Sequence, residues 1–169
     1  MKLRLGQVLM DAGMLNAEQV AQVLERQRRD QKPFGLLCER MFGLAPEVIE
    51  EAWAQQYATV TRTIDPELEV FEPQALELIS RRQAWQFRVL PVRFDDTELM
   101  LATTPMHLRR ALRFASELIQ VPLYMVMADA ERLGQALCKH YPLPGMTPQS
   151  VTDWAMDDLL AAVTGRKAG

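Results

Sequence analysis

The residues best placed to do chemistry are an arginine, a glycine and a glutamine in LRLGQVLMDAGMLNAEQVAQVLERQ, residues 3–27. Arg4 offers a planar cation for a phosphate or for the face of a base. Gly6 lacks a Cβ, so a ligand can approach the backbone at a helix start. Val20 and Leu24 are branched aliphatics that can sandwich an aromatic ring. The Gln27 amide can donate and accept along a purine edge. The chemistry is non-covalent capture of a flat, negatively charged ligand with polar edges.

The same pattern returns in KPFGLLCERMFGLAPEVIEEAWAQQ, where Gly35 aligns with Gly6. Val20, Leu24 and Gln27 align with Ile49, Trp53 and Gln56. Both triplets are spaced i, i+4, i+7 and so share one helix face. Each copy predicts a short helix, a turn and a longer helix. Asn16 with Gln19 forms a capping-box pattern, Gly13 suits the first turn, and Pro46 fits a first helical position. In the second copy Phe42 takes the turn slot and the glycine follows at Gly43. Two readings stand side by side. One is a duplicated amphipathic hairpin whose stripes are core. The other is a pair of ligand-facing shelves, which accounts for Arg4-Leu5-Gly6 and for the matched glutamines. Two near-equal copies suit a ligand with two near-equal halves.

RLGxxLxxxGxLxxxxLxxxLxxQ in tandem resembles the MshEN-type cyclic di-GMP-binding domain. That domain occurs at the N-terminus of type II secretion and type IV pilus assembly ATPases and in some bacterial glycosyltransferases. The resemblance implies a ligand-contacting set of Arg4, Leu5, Gly6, Val20, Leu24 and Gln27 from the first copy. From the second it implies Phe34, Gly35, Ile49, Trp53 and Gln56. The second copy departs from the pattern: Pro33 stands where a basic residue is usual, and Phe34 and Trp53 replace leucines. Those rings either stack on a guanine or fill the cleft. The resemblance runs to about residue 142, with Thr104-Pro105 in place of the usual Asp-Pro. It implies a bacterial, cytoplasmic receptor that relays occupancy to a protein partner or an attached effector domain. The alternative is a degenerate adaptor of a secretion, pilus or exopolysaccharide system that no longer binds nucleotide.

The elements that must position these residues give an α+β chain. Residues 1–60 form a helical lobe of two tandem helix-turn-helix repeats. Residues 61–142 form a small α/β lobe with a mainly antiparallel sheet. In it, Pro73 opens a helix to about Arg82, RVLPVRF and ELMLATT flank Asp95-Asp96 as a hairpin, and Pro105 opens an apolar-periodic helix. VPLYMVM follows as a strand, and Asp129 caps a last helix to about Tyr141. Residues 143–150 read as a linker, within PLPGMTPQS (142–150) and its three prolines. Residues 151–169 carry a C-terminal helix with Val151, Trp154, Ala155, Leu159 and Val163 at helical spacing, and a tail. The helix serves docking on its own domain or a partner.

Other chemistry is not legible. The 169 residues carry a net charge of −3 with 24% charged residues, which gives a nucleic-acid polymer no basic surface. There is no GxxxxGK[ST] phosphate loop, GxSxG, HExxH or CxxC, so neither a catalytic set nor a cofactor is expected. His107 and His140 stand apart from each other and from Cys38 and Cys138, which read as free thiols rather than metal ligands. Arg109, Arg110 and Arg113 cluster on one helix and would attract phosphate only if they face the first lobe. No signal peptide and no membrane-spanning run of about 20 apolar residues is expected.

Overall fold

Asn16 accepts from the Gln19 N–H at 2.8 Å, and Gln19 Oε1 accepts from the Asn16 N–H at 2.9 Å. This closed box starts the second helix where the sequence places it. The computed structural model describes residues 4–60 and 62–153, and the side chains of all these except 56 and 58–60. The first part is two helical hairpins: α1 (Leu5–Asp11) with α2 (Ala17–Asp30), then α3 (Phe34–Phe42) with α4 (Pro46–Val60). Gly13 at φ 72° makes the first turn, and Gly43 at φ 68° caps α3, both in the left-handed region that a side chain resists. The expected C-terminal helix, including Trp154, Ala155, Leu159 and Val163, lies outside the described residues.

The α/β part runs β1 (Thr63–Ile64), α5 (Pro73–Leu76), α6 (Arg81–Phe87), β2 (Leu90–Asp95) and β3 (Glu98–Thr103). It continues with α7 (Leu108–Leu118), β4 (Leu123–Ala128) and α8 (Ala130–His140). The chain is α+β, as expected, but the sheet is mixed rather than mainly antiparallel. Its order is β1-β4-β3-β2, and only β2 with β3 is antiparallel. The β3–α7–β4 crossover returns the chain parallel to β3, and β1 joins β4 in parallel. All six residues of β4 are buried, as befits a strand covered on both faces. The expected helix over 73–82 is also broken in two. Ser80 forms its own capping box with Gln83 and restarts the helix as α6.

Buried side chains form one continuous core through both parts, from Leu5 to Val151. The proline-rich stretch expected as a linker is docked at its far end. Pro148–Val151 is a short 3₁₀ turn seated on α8. A Cβ on Gly134 would stand 2.2 Å from the Pro148 carbonyl oxygen, so only glycine lets this turn approach. Arg88 is 1% exposed and clamps the turn. Its guanidinium donates to the carbonyls of Trp85 (2.6 Å), Ser150 (3.1 Å) and Val151 (3.1 Å). The Arg88 carbonyl in turn accepts from the Thr103 hydroxyl at 2.8 Å, tying the clamp to β3.

Two outcomes follow from these contacts. Each buried acceptor left unmet costs about 1–3 kcal/mol. Arg88→Ala should therefore lower the unfolding free energy in urea by about 3 kcal/mol and open residues 143–153 to limited proteolysis. The second concerns His140, whose ring stacks on Phe71 at 4.0 Å. Burial first, and then Lys139, hold its pKa below the ordinary 6.5. The unfolded chain therefore takes up the proton first on acidification. Thermal stability should fall as the pH drops through about 6.5, and His140→Gln should flatten that slope.

Candidate functional site

The first repeat folds so that its signature residues meet around one opening. Arg4, Leu5, Gly6, Val20, Leu24 and Gln27 line a cavity of about 120 Å³, with Phe34 from the second repeat at its wall. α1 brings Leu5 and Gly6, and α2 brings Val20, Leu24 and Gln27 from successive turns of one face. The fit between α1 and α2 is close: a Cβ on Gly6 would lie 2.5 Å from Val20 Cγ1. In this structure the absent side chain at Gly6 makes room for Val20 as well as for the cavity.

Gln27 is the chemically telling member. It is 1% exposed, and neither Oε1 nor Nε2 has a hydrogen-bond partner among the described residues. A buried primary amide left unmet is costly. Its donor and acceptor sit in a wall otherwise made by Leu5, Val20, Leu24 and Phe34. A flat heterocycle with adjacent donor and acceptor atoms satisfies that amide while its faces meet aliphatic carbon.

Arg4 stands at the mouth. Its backbone makes an antiparallel bridge to Tyr124 on β4. Its side chain, 60% exposed, donates from Nε to Glu98, whose carboxylate oxygens lie 2.8 and 3.0 Å away. Glu98, Val121, Pro122 and Leu123 complete the cavity from the α/β part, with Gln7 and Met10 from α1. Sequence spacing carried no signal for these residues, because they reach the site only when β3 and β4 close against α1.

The second repeat is placed differently. Trp53 and Ile49 are 0% and 1% exposed and belong to the core rather than to the cavity wall. The Trp53 indole N–H donates to the Leu5 carbonyl at 3.1 Å, and its ring tilts against Phe34 at 6.2 Å between centroids. Gly35 sits against α7, where an added Cβ would lie 2.9 Å from Ser116. Gln56 lies on α4, and its side chain is outside the described set. The structure thus gathers the first-copy residues with Phe34 around the cavity and leaves Gly35, Ile49 and Trp53 out of its lining.

Two of the three α7 arginines face the helical lobe, at α4 of the second repeat, and meet carboxylates there. Arg113 pairs with Glu50 at 2.9 Å, and Arg109 pairs with Glu51. The Arg109 guanidinium, helped by Gln55, holds the Glu51 carboxyl below its usual range. Arg110 lies over the Phe87 ring. Burial pushes the Cys38 thiol up to about 12, so it stays protonated and unreactive. Among the described residues, no group of three or more His, Cys, Asp or Glu is arranged to hold a metal ion. Nor is any helix among them long and apolar enough to cross a membrane.

No curated protein sequence matches the chain. Among solved structures, MshE with cdg aligns at 21% identity and a TM-score of 0.44, covering 83% of this chain and 100% of that one. The N-terminal domain of XpsE aligns at 17% identity and a TM-score of 0.37, covering 80% of this chain and 92% of that one. The model of the MshEN domain family matches residues 56–147. That span takes in Glu98, Val121, Pro122 and Leu123 of the cavity and starts after the first repeat. Because the match covers more than half of its length, the chain belongs to the MshEN domain family.

Proposed function

We propose that this chain is a cyclic di-GMP receptor module that binds the dinucleotide non-covalently and relays its occupancy to a protein partner or an attached domain in the bacterial cytoplasm. The observation that carries the reading is the buried Gln27 amide in the cavity wall, which has no partner among the described residues. A guanine edge supplies the donor and acceptor that this amide lacks, while Val20, Leu24 and Leu5 cover the base faces. Arg4 at the mouth meets a phosphate. The cavity of about 120 Å³ is well below the ~300 Å³ at which whole-ligand pockets begin. One guanine enters it, and the rest of the ligand lies outside along Arg4. Membership of a family whose resemblance implies this ligand supports the same assignment. The role is binding, with no bond made or broken.

The site's composition supports a relay. Its walls come from α1 and α2 on one side and from the β3 and β4 ends on the other. A ligand held by both favours one arrangement of the two, and that preference is what a partner can sense.

A second reading has a specific observation in its favour. Ile49, Trp53 and Gly35 are committed to packing, so a ligand cannot engage the second copy at those positions without moving the core. A chain of this kind serves as a protein-interaction adaptor that has lost its nucleotide.

Isothermal titration calorimetry with cyclic di-GMP separates the two. The receptor reading expects saturable heat at tens of micromolar protein, and Gln27→Ala should weaken binding about tenfold, near 1.4 kcal/mol. Absence of heat from folded wild-type protein, with partner binding retained by a Leu24→Ala, Gln27→Ala double variant, would establish the adaptor instead.

A further inference from the structure

The cavity has two charged residues among those that line it, Arg4 and Glu98, and they are paired with each other. An anion-binding site with a carboxylate already seated on its cation needs an explanation. Both partners are held in place by backbone. Arg4 is bridged to Tyr124 on β4. Glu98 opens β3 opposite Asp95 of the hairpin, next to the Leu99–Leu123 pair of the β3–β4 ladder. The Glu98 side chain is 18% exposed against 60% for Arg4. The carboxylate is therefore the more fixed of the two, and the guanidinium is the mobile partner that a ligand can draw away.

We propose that Glu98 is the selectivity-determining residue of this site, admitting guanine ligands whose phosphates are diesters and rejecting those with terminal phosphates. This inference rests on the guanine-binding reading above. An entering phosphate competes with Glu98 for Arg4 and feels the carboxylate as a like charge. A phosphodiester carries a single negative charge, whereas a terminal phosphate carries about −1.5 to −2 near neutral pH. The like-charge cost grows with that charge and is larger at a half-buried mouth than in open water. A repulsive group of this kind discriminates by penalising the wrong ligand rather than by favouring the right one. The base is recognised deeper in the cavity, by Gln27 and the aliphatic walls, so neutral guanosine is indifferent to Glu98.

The test compares wild type with Glu98→Gln, which keeps the shape and removes the charge, and with Glu98→Asp, which keeps the charge. Calorimetry is run with cyclic di-GMP, the linear 5′-phosphorylated diguanylate and guanosine. Glu98→Gln should tighten the linear, terminally phosphorylated ligand about tenfold more than the cyclic diester. Guanosine should be unchanged, and Glu98→Asp should keep the wild-type order of ligands. An unaltered ratio between cyclic and linear ligands in Glu98→Gln, with wild type still binding cyclic di-GMP, overturns the role of Glu98 and leaves the receptor reading standing. Weaker binding of both ligands by Glu98→Gln also overturns it, since the carboxylate would then be an organiser of the site. If neither wild type nor Glu98→Gln binds any of the three, the receptor reading falls and this inference falls with it.

Discussion

The arrangement turns on a single buried indole. Trp53 rises from α4 into the space beneath α1, with no exposed surface, and its N–H is bonded to the Leu5 carbonyl. That bond anchors the start of α1, where Arg4, Leu5 and Gly6 form the lip of the cavity. Truncating a fully buried tryptophan costs about 3–5 kcal/mol, a large part of the stability of a domain this size. One turn further along α4, the buried Tyr57 hydrogen-bonds to the backbone of Met125 in β4. The same helix therefore fixes the cavity's helical wall and holds it against the sheet that supplies the opposite wall.

This role explains why two nearly equal repeats end in unequal places. In a packed pair of hairpins, one hairpin must face the rest of the molecule. α3 and α4 do so, against α7, with Gly35 permitting close approach to Ser116. The larger residues of the second copy, Phe34 and Trp53, fill the interior that this contact creates. α1 and α2 remain at the edge, and there the smaller Val20 and Leu24 leave a space that ends in the Gln27 amide. Substituting rings for leucines in one copy converts a potential shelf into core.

Charge is distributed to match. Where the second repeat meets α7, opposite charges are paired, Arg113 with Glu50 and Arg109 with Glu51. Surface pairs of this kind contribute little stability, but they oppose the charge of both arginines. At the cavity, Arg4 protrudes, and its carboxylate partner likewise comes from the other part of the chain. Elsewhere in the α/β part, Arg88 does structural work with a similar group. Its guanidinium is spent on main-chain carbonyls, and it seats residues 148–151 on α8.

What the sequence determined by itself is whatever depends on neighbours within a few residues. The helical hairpins, the Asn16 box, the turns at Gly13 and Gly43, the β2–β3 hairpin and the Asp129 cap are all local hydrogen-bonding or backbone choices, and the residues announce them. The i, i+4, i+7 stripe also correctly placed Val20, Leu24 and Gln27 on one face. Tertiary structure decided what a stripe cannot encode, namely what stands opposite. It turned Ile49 and Trp53 inward and Val20 and Leu24 toward a cavity, although both stripes have the same period. It made the sheet mixed, because strand direction follows from how the α7 crossover packs and not from strand composition. It brought Glu98 to Arg4 across nearly a hundred residues of chain. Periodicity records that a face is apolar, and only the packed partner decides whether that face meets protein or ligand.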